Sequence, residues 1–278
     1  MKNEFEKSLK EFAETLQEHV SDTDGQWSIK GFIDVFKNVY TISSDTKVVS
    51  KILEIHLFPK ILKFAEDIGY KIVLADHQNY YPDLSFVKVD NENIKFAVDL
   101  KTTYKNNGIS ESCNGFTLGS FGRYFSDRSC TTFIQYPYNE YSGHFCLGII
   151  YQRAEDSRLD ETKTRPINEL TSITSVLHDF KFFVAEKWQI SSDQKGSGNT
   201  ANIGSVKNIH DLCNGLGMFS KLGEEWFDDY WMNYDKIIVT NKDGSTDTIK
   251  NLLQFVEYRG GDISLIVEKT SANKKSEN

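Results

Sequence analysis

Two aspartates and one lysine stand at spacings that suit a hydrolytic site. Asp83 comes directly before a strand-like apolar run, a polar turn covers 90–93, and a second such run follows over 94–101. Apolar and polar residues alternate in the second run, which is the periodicity of a β-strand. Because successive strand side chains point to opposite faces, Asp99 and Lys101 share one face. A hairpin of the two strands would return Asp83 beside them, so we expect the three side chains to converge at one end of a sheet.

Two carboxylates and a lysine in this arrangement suit metal-assisted hydrolysis of a phosphodiester. Carboxylate oxygens are ligands that Mg²⁺ accepts while it keeps several water molecules and takes another ligand from the substrate phosphate. The cation stabilises charge that develops on phosphorus, and the lysine can orient the attacking water. The Asp-x-Lys motif is short enough to occur often by chance. By itself it leaves open both a nuclease site and a solvated strand surface.

Composition limits the classes of protein to which the chain can belong. Its 278 residues are 39% hydrophobic and 13% aromatic, which is enough for one large domain with a substantial core. No apolar run approaches the ~20 residues that span a bilayer, so no membrane partner is expected. Four cysteines without metal-binding spacing predict reduced thiols in a cytoplasmic protein. The net charge of −8 argues against indiscriminate DNA binding but not against DNA as a substrate.

Periodic apolar residues predict the elements that surround the candidate site. Residues 4–20 carry an apolar stripe at helical spacing, which could pack on the core or on a partner subunit. Residues 27–42 are rich in β-branched and aromatic residues and predict a two-stranded ribbon. A long helix over 47–68 follows two N-cap candidates, Ser44 and Asp45. Later runs predict further elements, namely strands over 70–75, 131–136, 144–152 and 181–190 and a helix over 224–234.

Four stretches of the chain carry a resemblance to a known family. Pro82-Asp83 with Asp99-x-Lys101 is the signature of the PD-(D/E)xK superfamily, and the neighbouring residues are similar to its type II restriction endonucleases. The similarity extends from about 31 to about 231. The glycine-rich stretch is the most specific of the four, which are Ser44-Asp45-Thr46-Lys47-Val48, Gln78-Asn79-Tyr80-Tyr81-Pro82-Asp83, Val98-Asp99-Leu100-Lys101-Thr102-Thr103-Tyr104 and Gly196-Ser197-Gly198-Asn199-Thr200-Ala201-Asn202-Ile203-Gly204-Ser205.

The resemblance implies an α/β restriction-endonuclease-like fold, with a central mixed β-sheet flanked by helices and a small N-terminal dimerisation subdomain. Residues 1–43 would form the helix and ribbon that pair two subunits, and 44–235 would form the catalytic and DNA-recognition core. Residues 236–278 would be a C-terminal segment with a partly disordered tail. The protein would be a homodimer that holds double-stranded DNA and acts in a restriction system.

The resemblance also assigns roles to individual residues. Asp83, Asp99 and Glu54 would hold Mg²⁺, and Lys101 would position and activate the attacking water. The sequence alone favours another interpretation of Glu54, an exposed glutamate one helical turn from Lys51. The implied DNA contacts are Gly196, Ser197, Gly198, Asn199 and Thr200 in the major groove, Gln78 and Asn79 in the minor groove, and Asn202, Thr102, Thr103 and Lys47 elsewhere on the duplex. Arg153 follows the strand over 144–152, a position that suits either a phosphate contact or a plain surface arginine.

The glycine-rich stretch carries the expected sequence specificity. Glycines let the backbone approach bases closely, the Asn199 amide can bond adenine through two hydrogen bonds, and Thr200 can contact thymine. The resemblance therefore implies a palindromic GATATC-like site that is cut at its centre to leave blunt ends. A repair or structure-specific nuclease of the same superfamily is the alternative enzyme and would need no such base contact. A catalytically silent DNA-binding protein is a second alternative, against which the intact Asp83, Asp99 and Lys101 argue.

Overall fold

A computed structural model describes residues 1–77, 79–106, 111–154, 162–196, 201–240 and 243–267. The helices and strands of the described residues follow in this order: α1 (Lys2–Val20), β1 (Gly31–Ile33), β2 (Asn38–Thr41), α2 (Thr46–Asp67), β3 (Tyr70–Leu74), β4 (Leu84–Lys88), β5 (Lys95–Tyr104), β6 (Thr117–Ser120), α3 (Arg123–Ser126), β7 (His144–Arg153), β8 (Thr164–Pro166), β9 (Leu177–Glu186), α4 (Lys187–Ile190), β10 (Ser191–Lys195), β11 (Asn202–Ser205), α5 (Ile209–Asn214), α6 (Glu224–Asn233), β12 (Ile238–Thr240), β13 (Thr246–Thr248) and α7 (Leu252–Tyr258). No helix within these described ranges has the length and apolarity to cross a membrane.

The central sheet has five strands in the order β3-β4-β5-β7-β9. Its strands are antiparallel except for β5 and β7, which run parallel, so the sheet is mixed. The long strands are buried on both faces because one hydrophobic cluster includes α1 and α2 and a second includes α6 and α7. This architecture confirms the predicted α/β fold with a central mixed β-sheet flanked by helices.

Two of the predicted strands differ from the structure. Residues 131–136 form turns, and Ile134 makes only an isolated bridge to Tyr81. The apolar pattern there reflects side chains that pack under the sheet from a loop. The predicted strand over 181–190 ends at Glu186, where a capping box with Gln189 starts the short helix α4. A capping box satisfies two backbone N–H groups at a helix start, which explains the change of structure at that point.

The apolar stripe of α1 packs inside this chain. Phe5, Leu9, Leu16 and Val20 are buried in the same cluster as the central sheet. The Phe5 ring stacks on Phe96 of β5 with the ring centroids 4.2 Å apart. The sequence left core packing and subunit pairing as equal uses of this stripe, and the structure decides for core packing. The stripe is therefore not available to a partner subunit.

The ribbon between α1 and α2 leaves apolar side chains in solvent. β1 and β2 pair as predicted, and β8 adds a third strand on the other side of β2. The exposed apolar residues of the ribbon are Phe32, Ile33, Val35, Phe36 and Tyr40, with Phe36 80% exposed. Asp34 holds the turn by accepting hydrogen bonds from the N–H groups of Phe36 and Asn38. The turn thus presents Val35 and Phe36 to solvent.

The C-terminal part of the described chain belongs to the second hydrophobic cluster. Leu252 and Phe255 of α7 are buried together with Tyr230 and Trp231 of α6. A smaller sheet in the order β10-β11-β6 lies beside them. The predicted disordered tail falls mostly within 268–278, which lies outside the described residues.

Candidate active site

Backbone hydrogen bonds hold the two aspartates at the edge between β4 and β5. The N–H of Asp83 donates to Oδ1 of Asp99 at 3.2 Å, and the N–H of Leu100 donates to Oδ2 of Asp83 at 2.8 Å. The antiparallel pairing of Leu84 with Val98 brings the start of β4 to this part of β5. Each carboxylate is thus oriented by the backbone beside the other, as the hairpin prediction required.

Lys101 completes the cluster from the same strand as Asp99. Its ammonium lies 3.0 Å from Oδ2 of Asp99 and 3.9 Å from Oδ2 of Asp83. Asp99 is almost fully buried, whereas the Asp83 side chain is 40% exposed. The cluster therefore has one carboxylate inside the protein and one at the surface of a pocket. The structure brings together the three residues from which the sequence argument started.

The charges of the cluster alter its protonation. Desolvation by the surrounding protein, opposed by Lys101 and assisted by the Asp99 carboxylate, raises the pKa of Asp83 to about 6. Burial lowers the pKa of Lys101, but the Asp99 and Asp83 carboxylates outweigh burial and raise it above the usual lysine value. Lys101 is therefore a cation at neutral pH. The pKa of Asp83 lies close to neutral pH, in part because two carboxylates near each other resist simultaneous ionisation.

The donor set of the cluster is compatible with a hard divalent cation. Two carboxylates at a solvent-accessible pocket supply oxygen ligands and leave room for water and a phosphate oxygen, as Mg²⁺ requires. Within the described residues no group of three or more His, Cys, Asp and Glu side chains is arranged to hold a metal ion. Asp83 and Asp99 are the two carboxylates of this cluster that could hold a metal ion, and Glu54 does not form such a group with them in this arrangement.

A pocket of about 400 Å³ opens beside the cluster. Asn79 and Asn202, both predicted DNA contacts, line it together with Asp83, Asp99 and Lys101. The sequence assigned no role to the remaining lining residues, which come from the loop before β4, from β6 and α3, and from a later turn: Tyr80, Tyr81, Thr117, Gly119, Ser120, Arg123, Tyr124 and Phe133. Arg123 stacks its guanidinium 4.0 Å above the Phe133 ring. No local pattern marks these residues, because tertiary packing alone brings β6 and α3 to β5.

A larger cleft of about 1240 Å³ adjoins the cluster and contains Glu54. Glu54 lies on α2, is 41% exposed, and forms an ion pair with Lys51 at 2.7 Å. Its negative charge raises the pKa of Asp83, but it is not among the residues that line the smaller pocket. Lysines 47, 51, 195 and 207 line the cleft together with the acidic residues Glu54, Glu111 and Asp211. Lys51 and Lys195 form ion pairs with Glu54 and Asp235, so the lining is of mixed charge.

The other predicted DNA contacts on β5 and β7 differ in accessibility. Thr102 lines the cleft, and its hydroxyl lies 2.5 Å from that of Ser50 on α2. Thr103 is only 3% exposed and donates a hydrogen bond to the carbonyl of Gly115, which argues against the predicted DNA contact of its side chain. Arg153 stacks on the ring of Tyr104 at 3.7 Å, so packing restrains its guanidinium.

The described ends of the glycine-rich stretch line the two cavities: Gly196 lines the cleft and Asn202 lines the pocket. The N–H of Gly196 donates to the carbonyl of Asn202 at 2.8 Å and closes the base of the loop. A Cβ at Gly196 would lie 2.5 Å from Cγ2 of Thr117, so only glycine fits there. Ser197, Gly198, Asn199 and Thr200, together with Gln78 of the other loop, lie outside the described residues.

Comparison with known proteins agrees with this geometry. The family model described as restriction endonuclease EcoRV matches residues 23–260. The type II restriction enzyme EcoRV of Escherichia coli is 38% identical to this chain over 216 residues, which are 77% of this chain and 85% of that protein. Both matches confirm the predicted relationship to type II restriction endonucleases. The chain belongs to the EcoRV family of type II restriction endonucleases, which are metal-dependent, site-specific deoxyribonucleases that hydrolyse phosphodiester bonds.

Proposed function

We propose that this endonuclease cleaves double-stranded DNA in a Mg²⁺-dependent reaction at a palindromic GATATC-like site and leaves blunt ends. The convergence of Asp83, Asp99 and Lys101, with the ammonium 3.0 Å from the Asp99 carboxylate, carries the catalytic part of this proposal. The resemblance of the stretch 196–205 supports the recognition part, because it is the most specific of the shared stretches.

Asp83 and Asp99 would hold Mg²⁺ through their carboxylate oxygens. The raised pKa of Asp83, about 6, reflects an environment that disfavours a second negative charge, and a bound cation would offset it. Bound Mg²⁺ would supply positive charge against the charge that develops on phosphorus, and it would make water a better nucleophile. Glu54 would assist from the adjoining cleft, where its charge already acts on Asp83.

Lys101 would act as a fixed cation and not as a base. The two carboxylates raise its pKa above the usual value, so it keeps its proton at neutral pH. An ammonium has three N–H donors and no acceptor, so Lys101 can donate to the attacking water and to a phosphate oxygen. Asp99 would hold the ammonium in position through the 3.0 Å ion pair. Such preorganised charge stabilises the transition state without reorganisation during the reaction.

DNA recognition would come from the loops that border the catalytic pocket. The loop over 196–200 would read the major groove with Asn199 and Thr200, and Gln78 and Asn79 would reach the minor groove. Asn79 and Asn202 line the catalytic pocket, which supports contacts close to the scissile bond. Lys47 and Thr102 line the cleft and would contact the sugar-phosphate backbone of the DNA. Arg153 at the end of β7 would contact a DNA phosphate. Phosphate contacts position the duplex, whereas base contacts select its sequence.

Two copies of the chain would be needed to read a palindrome symmetrically. The exposed apolar side chains of the ribbon, Phe32, Ile33, Val35, Phe36 and Tyr40, form the surface that we propose for this pairing. The α1 stripe takes no part, because the core of the same chain covers it. A two-fold interface uses the same patch on both subunits, and a protruding apolar ribbon is suited to that geometry.

The biological role that we propose is restriction of foreign DNA, with a companion methyltransferase that protects the host. This role would put the enzyme in the cytoplasm, where the DNA that it must cut arrives. Four free cysteines support this location, because thiols remain reduced there.

A plasmid of known sequence tests the proposed function directly. The purified protein is incubated with the plasmid and either Mg²⁺ or EDTA, and the ends of every product are sequenced. Discrete blunt ends at one palindrome, formed only with Mg²⁺, are expected. Ends at irregular structures instead of one sequence would indicate a repair nuclease, and the absence of cleavage with all divalent metals would indicate a DNA-binding protein without catalysis. Lys101→Met serves as the inactive control.

A further inference from the structure

Lys187 is buried beside the catalytic pocket although no step of the proposed reaction uses it. It begins α4 directly after β9 and is only 2% exposed. Its ammonium lies 3.6 Å from the centroid of the Tyr81 ring and 5.9 Å from that of Tyr138. Lysine is rarely buried to this extent without a carboxylate partner. None of the ion pairs found among the described residues includes Lys187.

The register of the central sheet explains why this lysine is near the carboxylates. Asp99 of β5 pairs with Cys146 of β7, and Cys146 pairs with Ala185 of β9. The three residues form a row across the sheet, and Lys187 is the next residue after Ala185 on the same face. Lys187 therefore approaches the buried Asp99 from within the protein.

Gly119 lines the catalytic pocket and lies close to the ammonium of Lys187. A Cβ at Gly119 would lie 3.3 Å from Nζ of Lys187 and 2.9 Å from the hydroxyl oxygen of Tyr124. Gly119 has φ +95, a backbone conformation that favours glycine, and both Gly119 and Tyr124 line the pocket. The glycine thus lets the wall lie directly against the buried ammonium.

The surroundings of Lys187 keep it charged at neutral pH. Burial lowers its pKa to about 8, and the Asp99 carboxylate is the largest influence that opposes burial. Lys101 repels it and Asp83 attracts it more weakly. The Tyr81 ring stabilises the ammonium further through a cation–π interaction. When no metal is bound, the charges of the carboxylates of Asp83 and Asp99 are therefore balanced by those of Lys101 and Lys187.

We propose that Lys187 is a positioning residue of the catalytic site, a buried counter-charge that stabilises the Asp83–Asp99 pair in the metal-free protein and weakens the binding of a divalent cation. The inference rests on the proposed function, in which this pair is the metal site. A divalent cation that enters the balanced cluster adds two positive charges and meets repulsion from Lys187 across a poorly screened interior. A DNA phosphate restores the balance, so the metal and the duplex favour each other at the site.

Binding of Mn²⁺ to the DNA-free protein tests this inference without any measurement of cleavage. The spectroscopic signal of free Mn²⁺ is followed in titrations of wild type, Lys187→Met and Lys187→Arg. The methionine variant keeps the length of the side chain but removes its charge, so we expect it to bind Mn²⁺ at least about tenfold more tightly. The arginine variant keeps the charge and should resemble wild type. Lys30→Met is the matched control, because the Lys30 side chain is also largely buried but forms its ion pair with Asp22. Neither Lys30 nor Asp22 lines the catalytic pocket.

Thermal denaturation gives a second measure of the same effect. A ligand that binds the native state raises the melting temperature according to its affinity, so Mn²⁺ should stabilise Lys187→Met more than wild type. If Lys187→Met does not fold, Lys187→Gln removes the same charge with a side chain that can hydrogen-bond. Equal Mn²⁺ affinity in wild type and in the folded neutral variant would overturn the inference. The variant Asp99→Ala distinguishes a failure of this inference from a failure of the proposed function. If Asp99→Ala still binds Mn²⁺ and cleaves DNA, the proposed function itself fails.

Discussion

The ammonium of Lys101 lies 3.0 Å from Oδ2 of Asp99, two residues earlier on the same strand. This ion pair forms because the period of a β-strand puts both side chains on one face of β5. Asp83 reaches the pair from the start of β4, where the N–H of Leu100 holds its carboxylate. A site built in this way depends on each of its charges.

Removal of the Asp99 carboxylate should abolish Mg²⁺-dependent cleavage. Asp99→Ala removes a metal ligand and the group that holds Lys101, so we expect a loss of several orders of magnitude in cleavage rate. DNA binding should persist, since phosphate contacts elsewhere provide most of the affinity. The measurement is the rate of plasmid cleavage alongside a gel-shift titration. Asp90→Ala is the control, because Asp90 is exposed in the turn after β4. This variant should cleave the plasmid at the wild-type rate. Near-normal cleavage by Asp99→Ala would refute the site.

Substitution of Asn199 should reduce specificity more than DNA affinity. Asn199→Ala removes a side chain that can form two hydrogen bonds with adenine, so cleavage of the cognate site should weaken by at least ~1–3 kcal/mol. Binding to unrelated duplexes should barely change because phosphate contacts dominate it. Cleavage rates on cognate and single-mismatch duplexes provide the measurement. Asn93→Ala, in the exposed β4–β5 turn, is the matched control. Wild-type selectivity in the Asn199 variant would exclude this loop as the reader.

A charge in the ribbon should separate the proposed dimer. Phe36 is 80% exposed, and Phe36→Asp would put a carboxylate into an apolar interface at no cost to the core of the monomer. We expect a monomer in sedimentation experiments and loss of double-strand cleavage. Val89→Asp changes a comparably exposed residue outside the ribbon, 63% exposed, and should leave the oligomeric state unchanged. An unchanged sedimentation coefficient for Phe36→Asp would locate subunit pairing elsewhere.

A mixed dimer should nick its site and not cut both strands. In the proposed assembly each subunit contributes one recognition loop to a half-site and one catalytic cluster to a strand. Pairing one wild-type subunit with one Asp83→Ala subunit should therefore leave one strand intact. Differently tagged subunits are co-expressed, the mixed species is purified, and supercoiled plasmid products are separated on a gel. Accumulated nicked circles are expected. Linear DNA formed at the wild-type rate would show that one cluster cuts both strands.

Acidification should destabilise the fold through His144. This residue is buried, its Nδ1 is hydrogen-bonded to the Tyr81 hydroxyl at 2.8 Å, and burial holds its pKa well below the usual value of 6.5. The neutral form favours the folded state, so the stabilisation is complete above pH 6.5 and decreases as pH falls below it, by at most about 1.4 kcal/mol per pH unit.

The melting temperature of His144→Gln provides the comparison. Glutamine can still accept a hydrogen bond from Tyr81 but does not titrate. The difference in melting temperature between wild type and His144→Gln should therefore become smaller as the pH is lowered from 7 to 5. If the melting temperatures of the two proteins fall by the same amount between pH 7 and pH 5, His144 does not control stability in acid. His56, whose pKa burial also lowers, is present in both proteins and cancels from the difference.

The amino-acid sequence determined the features that depend on chain geometry over a few residues. The shared face of Asp99 and Lys101 follows from strand period, and the cap of α2 follows from an aspartate whose side chain accepts from the N–H groups of Lys47 and Val48. The family signature likewise depends on residue types in order. These features were predictable because neighbouring residues constrain one another through backbone geometry alone.

Tertiary structure alone decided which surfaces are covered and which charges meet. The sequence could not tell whether the α1 stripe faces its own core, and the pairing of Glu54 with Lys51 was only one of two interpretations. Nothing local predicted that Lys187 would be buried beside Asp99, because β9 reaches the site through strand pairing with β7. Burial and electrostatic environment arise from contacts between residues far apart in the chain. Patterns of a few residues therefore identify the catalytic groups, whereas the folded sheet sets their charges.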